Sequence, residues 1–117
     1  MKDYRQIQVW QRSHALTVRI YQLTKHFPKD ELFGLTSQMR RAASSTPANI
    51  AEGCGRDGDP ELRRFMTIAL GSACELDYHI LLATELGYLT AQASAPIAGD
   101  ILEIRRMLGS FIKKLKA

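Results

Sequence analysis

Cysteine is nearly missing from this 117-residue sequence, with only Cys54 and Cys74 present. They form no Cys-x-x-Cys pair, which excludes a zinc ribbon or a dithiol redox motif. Aromatic residues make up 8%, with a single tryptophan. Only Tyr4, Trp10 and Tyr21 stand near the basic residues of the first helical segment, so base stacking is not indicated. No uncharged apolar run approaches the ~20 residues of a membrane span, and no membrane partner is expected. The stretch from Met1 to Arg12 is polar. No export signal is expected there, and the expectation is a cytoplasmic protein with reduced thiols. Helix geometry argues the same way, because antiparallel neighbours would hold Cys54 and Cys74 roughly 20 Å apart. A disulfide needs Cα atoms within about 7 Å. No β-hairpin signal, tandem repeat or low-complexity tract occurs.

What is present is an ordinary globular composition: 45% hydrophobic and 24% charged residues. The length is that of one domain, expected to span residues 1–117, and a chain of this size buries roughly two-thirds of its unfolded surface. Sixteen Lys and Arg against twelve Asp and Glu leave a net charge of +4. That charge is unevenly placed. Residues 1–56 carry net +5, residues 57–104 net −6, and residues 105–117 net +5. A polarised chain of this kind suits contact with a polyanion or with a copy of itself. Solvated, ion-paired helix faces would produce the same pattern.

Four segments have helical periodicity. Val9, Leu16, Ile20, Leu23 and Phe27 form the first stripe, which Pro28 stops. Asp30 can cap a short turn after it. Leu35, Met39, Ala42, Thr46 and Ile50 form the second, on a helix from about Leu35 to Cys54. Pro47 lies inside and lacks the amide that would bond the Ala43 carbonyl, so a kink or interruption is expected. Gly53 and Gly55 are expected to end this helix. The third starts with Asp59 as N-cap and Pro60 at the first helical position. Phe65 or Met66, Ala69, Ala73, Leu76, Ile80 and Ala83 give its stripe, and Gly87 ends it. The fourth is expected to begin near Ser94 or Ala95, with Pro96 at or near the first position. Ile97, Ile101, Ile104, Leu108, Phe111 or Ile112, and Leu115 line it. Four amphipathic helices with short connections predict an all-α, antiparallel up-down-up-down four-helix bundle.

Two segments carry a family resemblance: Leu35-Thr36-Ser37-Gln38-Met39-Arg40-Arg41-Ala42-Ala43 and Pro47-Ala48-Asn49-Ile50-Ala51-Glu52-Gly53. They resemble the signature of the bacterial four-helix bundle proteins encoded in intervening sequences of 23S ribosomal RNA genes. Val9-Trp10-Gln11, Phe27-Pro28, Phe33-Gly34-Leu35, Arg64-Phe65, Ile68 to Ser72 with Glu75, and Leu86-Gly87-Tyr88-Leu89 extend it over nearly the whole chain. The resemblance implies a ring-like homopentamer. It also implies kinship with the accessory variability determinant proteins of diversity-generating retroelements, similar pentamers with basic surfaces that work with a reverse transcriptase and RNA. Relatives often carry a basic residue just before the Gly-Ser pair, where this chain has Leu70. The family has no settled biochemical activity.

Candidate functional residues fall into two sets. Gln38, Arg41, Ser45, Asn49 and Glu52 make one polar stripe on the second helix, and Ser72, Glu75 and His79 one on the third. Where the stripes meet, between helices or between subunits, they would form a polar cluster. A satisfied hydrogen-bond network fixing register is the preferred account, because buried polar groups must be paired and the small Ala42, Ala43, Ser44 and Ser45 suit close packing. The basic set comprises Arg12, Arg19, Arg40, Arg41, Arg63, Arg64, Arg105, Arg106, Lys113 and Lys114. Adjacent helical residues point about 100° apart, so the four doublets straddle faces. Arg12 with Arg19, and Arg106 with Lys113, are seven apart and share faces. Phosphate contact is the functional reading. Ion pairing with Glu61, Glu103 or a neighbouring subunit is the alternative use.

No chemistry of bond-making is expected. A bundle di-iron site needs Glu-x-x-His pairs, whereas Glu75 and His79 are four apart. No cofactor or metal is expected. Gly53-Cys54-Gly55 lacks the strand and the Gly-Lys-Ser/Thr of a phosphate loop, and no serine sits in a nucleophile elbow. The expectation is a non-enzymatic homo-oligomer, binding RNA, DNA or a nucleoprotein partner through a basic surface. The alternative is an assembly or adaptor module whose partner is another protein.

Overall fold

Each of the four apolar stripes becomes a helix, although Phe27 and Leu115, counted in the first and fourth stripes, lie just beyond the helix ends. The structure, a computed structural model, describes residues 3–116. After a short 3-10 turn at Tyr4–Gln6 come α1 (Gln8–Thr24), a second 3-10 turn at Lys29–Glu31, α2 (Leu35–Cys54), α3 (Gly58–Glu85) and α4 (Ala91–Lys114). No strand occurs among the described residues. Consecutive helices pack side by side, and α4 returns against α1, the pair that touches least closely. The extents are 43 × 23 × 21 Å. The longest of them matches the ~1.5 Å rise per residue of the longest helix, α3.

The stripes meet in one core. Ile20, Met39, Ile50, Met66, Ile97, Ile101 and Leu108 are fully buried, one or more from every helix. Burying each such side chain contributes ~1.5–3 kcal/mol. Ala42, Ala43, Ala69, Ala73 and Ala83 are buried between them, and their small side chains let α2 and α3 approach. Helix α3 is long and apolar enough to cross a bilayer. Here its buried face, from Leu62 to Ala83, packs into the bundle.

Four local expectations are corrected. Helix α2 runs unbroken through Pro47. The Ala43 carbonyl that proline leaves without an amide accepts a bond from Thr17 Oγ1 of α1, at 2.9 Å. That hydroxyl also lies 2.8 Å from the Ser13 carbonyl of its own helix. Helix α4 begins at Ala91 rather than at Ser94 or Ala95, because Thr90 caps it by accepting the Ala93 amide at 3.0 Å. Pro96 therefore lies inside the helix. Its missing partner, the Gln92 carbonyl, belongs to an exposed residue and can be solvated. Asp59 sits in the first turn of α3 rather than before it, and its Oδ2 accepts the Lys116 amide at 3.3 Å. Gly53 does not end α2. It lies within the helix, where an added Cβ would stand 2.9 Å from Phe65 Cβ and 3.1 Å from Leu62 Cδ1. It permits the close approach of α3. The left-handed glycines are Gly58 and Gly87, at φ 79° and 83°, and the second closes α3 as expected.

Candidate functional site

The loosest seam, between α1 and α4, gathers basic side chains. Arg12 and Arg19 lie two turns apart on the exposed side of α1 and line a shallow groove of about 360 Å³ with Asp100 of α4. Arg19 Nη1 stands 3.8 Å from Asp100 Oδ2, with both side chains about half exposed. Nearer the free ends of the two helices the seam opens into a larger groove of about 720 Å³. Ile7, Met107, Phe111 and Leu115 line its apolar part, with Arg106 and Lys114 as its cations and Glu103 as its carboxylate. The groove lies where α1 starts and its neighbour α4 ends. Lys113 is exposed one position before Lys114.

The remaining basic residues are dispersed. Arg64 donates from Nε to Glu61 Oε2 at 3.0 Å and lies over the Phe65 ring. That bond holds the Glu61 carboxyl below its ordinary pKa and raises the Arg64 guanidinium. Arg105 stands 3.9 Å from Asp77 of α3. Arg40 donates to Thr24 Oγ1 at 2.8 Å and stacks over Tyr21, which ties α2 to the end of α1. Arg63 is half buried, and its Nε has no hydrogen-bond partner. Exposed pairs of this kind contribute little to stability; Arg64 and Arg105 stand at acids of α3 as Arg19 stands at Asp100, while Arg40 is bound to Thr24.

The polar stripes of α2 and α3 face one another. Ser45 Oγ and Ser72 Oγ share a hydrogen bond of 2.9 Å, and Asn49 Nδ2 donates to the Ser45 carbonyl and Oγ at 2.8 and 2.9 Å. Gln38, Arg41, Ser45, Ser72 and Glu75 line a groove of about 340 Å³. His79 Nε2 and Glu75 Oε2 are 3.0 Å apart. The imidazole is buried, and its Nδ1 has no hydrogen-bond partner. Glu52 is not drawn into the cluster and instead accepts from Arg56 Nη2 at 3.0 Å. Chemically the groove is a hydrogen-bonding surface. It holds one carboxylate and one guanidinium on opposite helices, and a nucleophile activated by a base is not assembled there. Among the described residues, no three His, Cys, Asp or Glu side chains converge as metal ligands.

Sequence reasoning misses two features. The apolar groove is invisible in a helical stripe, because Met107 and Phe111 fit the same periodicity as the core residues beside them. For the turn before α2, composition points only to capping by Asp30. In the structure Glu31 is its centre, accepting the Leu35 amide at 3.1 Å and the Tyr88 hydroxyl at 2.9 Å. That carboxylate raises the phenol's pKa. The acid three residues before Gly34-Leu35 is the available signal.

Comparison with known proteins places the chain. The family model described as 23S rRNA-intervening sequence protein matches residues 5–110. Among solved structures, a protein of unknown function from the S23 ribosomal protein family of Bacteroides thetaiotaomicron VPI-5482 is 28% identical, with a TM-score of 0.81 over 91% of this chain and 99% of that one. No match is found among curated proteins.

Proposed function

The chain belongs to the 23S rRNA-intervening sequence protein family, and we propose that it is a non-enzymatic, cytoplasmic, homo-oligomeric helical bundle that binds nucleic acid phosphates along its α1/α4 side. The observation that carries this reading is the placement of Arg12, Arg19, Arg106 and Lys114 along one seam. Asp100 and Glu103 are the acids that share it. The ring-like homopentamer that the family resemblance implies would multiply the effect, raising a chain charge of +4 to about +20 per assembly. The kinship with accessory variability determinant proteins that the resemblance implies would favour RNA, alone or held by a nucleoprotein partner. Binding would rest on backbone phosphates, with weak sequence preference and steep salt dependence.

The test is binding of labelled structured RNA and duplex DNA at low and moderate salt. The Arg12→Gln/Arg19→Gln variant is expected to bind more weakly, with the salt slope falling by about one for each phosphate that is no longer neutralised. No detectable affinity for either nucleic acid at low salt would overturn the reading. Light scattering that finds a stable monomer at micromolar concentration would remove the oligomer from it.

A second reading has its own support. Arg19, Arg64 and Arg105 each stand within 4 Å of a carboxylate, which suits an assembly or adaptor module whose partner is a protein. Unchanged association of that partner in high salt, beside absent nucleic-acid binding, would favour it.

A further inference from the structure

The polar groove between α2 and α3 is held in shape by two residues that do not line it. One is His79, which is buried and sets Nε2 3.0 Å from Glu75 Oε2. A carboxylate only accepts, so that nitrogen carries the hydrogen. Nδ1 has no hydrogen-bond partner, so Glu75 is what the imidazole holds. Glu75 Oε1 is left without a partner among the described residues. The other is Asn49, whose Nδ2 donates to Ser45 Oγ at 2.9 Å. Ser45 Oγ and Ser72 Oγ are themselves 2.9 Å apart. One hydroxyl proton joins the two serines, and the second has no acceptor among the described residues. The cation across the groove is also unpaired. Among the described residues no carboxylate stands within 4 Å of the Arg41 guanidinium.

These groups specify a ligand. A groove of about 340 Å³ lies at the small end of small-molecule sites. Ala42 is its one apolar lining residue, so an apolar body would gain little there. No aromatic ring lines it among the described residues, so a nucleobase would find no stacking partner. One guanidinium faces one carboxylate, and a ligand with a net charge would leave one of them unmatched. Arg41 suits a carboxylate, which a guanidinium binds through two parallel hydrogen bonds. Glu75 Oε1 suits an N–H cation. The unused serine proton and the Gln38 amide supply further donors.

We propose that this groove binds a small polar α-amino acid, with the ligand's carboxylate on Arg41 and its ammonium on Glu75. The two charges of an α-amino acid are carried on adjacent groups, which suits two protein charges sharing one small groove. His79 is a positioning residue, because it orients Glu75 and does not line the groove. The site is built from α2 and α3, apart from Arg12 and Arg19 on the α1/α4 seam. It therefore stands or falls independently of nucleic-acid binding and of self-association.

Titration of the purified full-length chain with L-serine and L-glutamine, followed by amide chemical shifts, tests the site. Saturable shifts at Gln38, Ser45, Ser72 and Glu75 are expected below about 10 mM ligand. Acetate, and betaine, which keeps both charges but has no N–H, are expected to bind about tenfold or more weakly. Arg41→Gln and Glu75→Gln, both at exposed positions, are each expected to weaken serine binding about tenfold or more, with helicity unchanged by circular dichroism. His79→Gln, whose amide can still donate to Glu75, is expected to retain the binding that His79→Leu loses. The absence of a saturable shift with either amino acid overturns the proposal. Binding of acetate or betaine as tight as that of serine also overturns it, since that marks a nonspecific ion contact. Guanosine binding in place of the amino acids overturns it too, as does serine binding that survives both Arg41→Gln and Glu75→Gln.

Discussion

Replacing Thr17 by valine tests how α2 carries a proline in its interior. Valine preserves the branched shape and removes the hydroxyl that reaches the Ala43 carbonyl at 2.9 Å. Ala43 is buried, and Pro47 supplies no amide to that carbonyl. The Ser13 carbonyl, the hydroxyl's other neighbour, lies four residues before Thr17 and has that residue's amide as its helical partner. The single hydroxyl proton is therefore worth most to Ala43. Leaving a buried acceptor unpaired costs about 1–3 kcal/mol. For a domain of this size each kcal/mol lowers Tm by about 4 °C. The assay is urea denaturation followed by circular dichroism, at one fixed protein concentration so that any association would weigh equally on all variants. The decisive comparison is Thr17→Val in a Pro47→Ala background, where the amide at position 47 returns. There the valine is expected to cost ~1 kcal/mol less than in the parent chain, a coupling within the usual range for contacting groups. An equal penalty in both backgrounds would refute the account of how the proline is tolerated.

Gly53→Ala is expected to destabilise the chain by about 1–3 kcal/mol through overpacking, because the new Cβ meets Phe65 and Leu62 on α3. A neutral result in the same denaturation assay would mean that α2 and α3 separate without cost. Tyr88→Phe should lower stability at neutral pH by removing the hydroxyl that donates to Glu31. The carboxylate raises the Tyr88 pKa above its ordinary value of 10.0. The bond's contribution is therefore complete below that value and is lost as pH rises through the higher, folded-state value. Urea midpoints of the parent and variant should begin to converge only once pH passes about 10, and a gap that stays constant with pH would contradict the assignment.

Residue spacing carries the helices well. It bounds the second helix at Leu35 and Cys54, as observed, because Gly34 and Gly55 punctuate a strongly periodic stripe. It misplaces the start of α4 because Pro96 is a louder signal than Thr90, although the threonine cap is what begins the helix. Of the polar set, the meeting of Ser45 with Ser72 follows from shared faces. The departure of Glu52 to Arg56 does not, since an exposed acid takes whichever cation lies within reach on its own helix.

Sequence alone determined the class and number of the helices, because amphipathic periodicity is a local property written every three or four residues. It also determined the alternation of basic, acidic and basic segments. Tertiary structure decided everything that depends on two helices at once. It supplied a donor from α1 to the carbonyl that Pro47 abandons, and it paired serines across α2 and α3. It set Arg12, Arg19, Arg106 and Lys114 along one seam while the acidic stretch lent partners to Arg64 and Arg105. It also left Phe33 in water and a groove open at the far end of the bundle. Scarcity of aromatics argues against a broad aromatic binding surface. Which aromatic rings face water is set by packing and not by composition, as the exposure of Phe33 and the burial of Phe27 show.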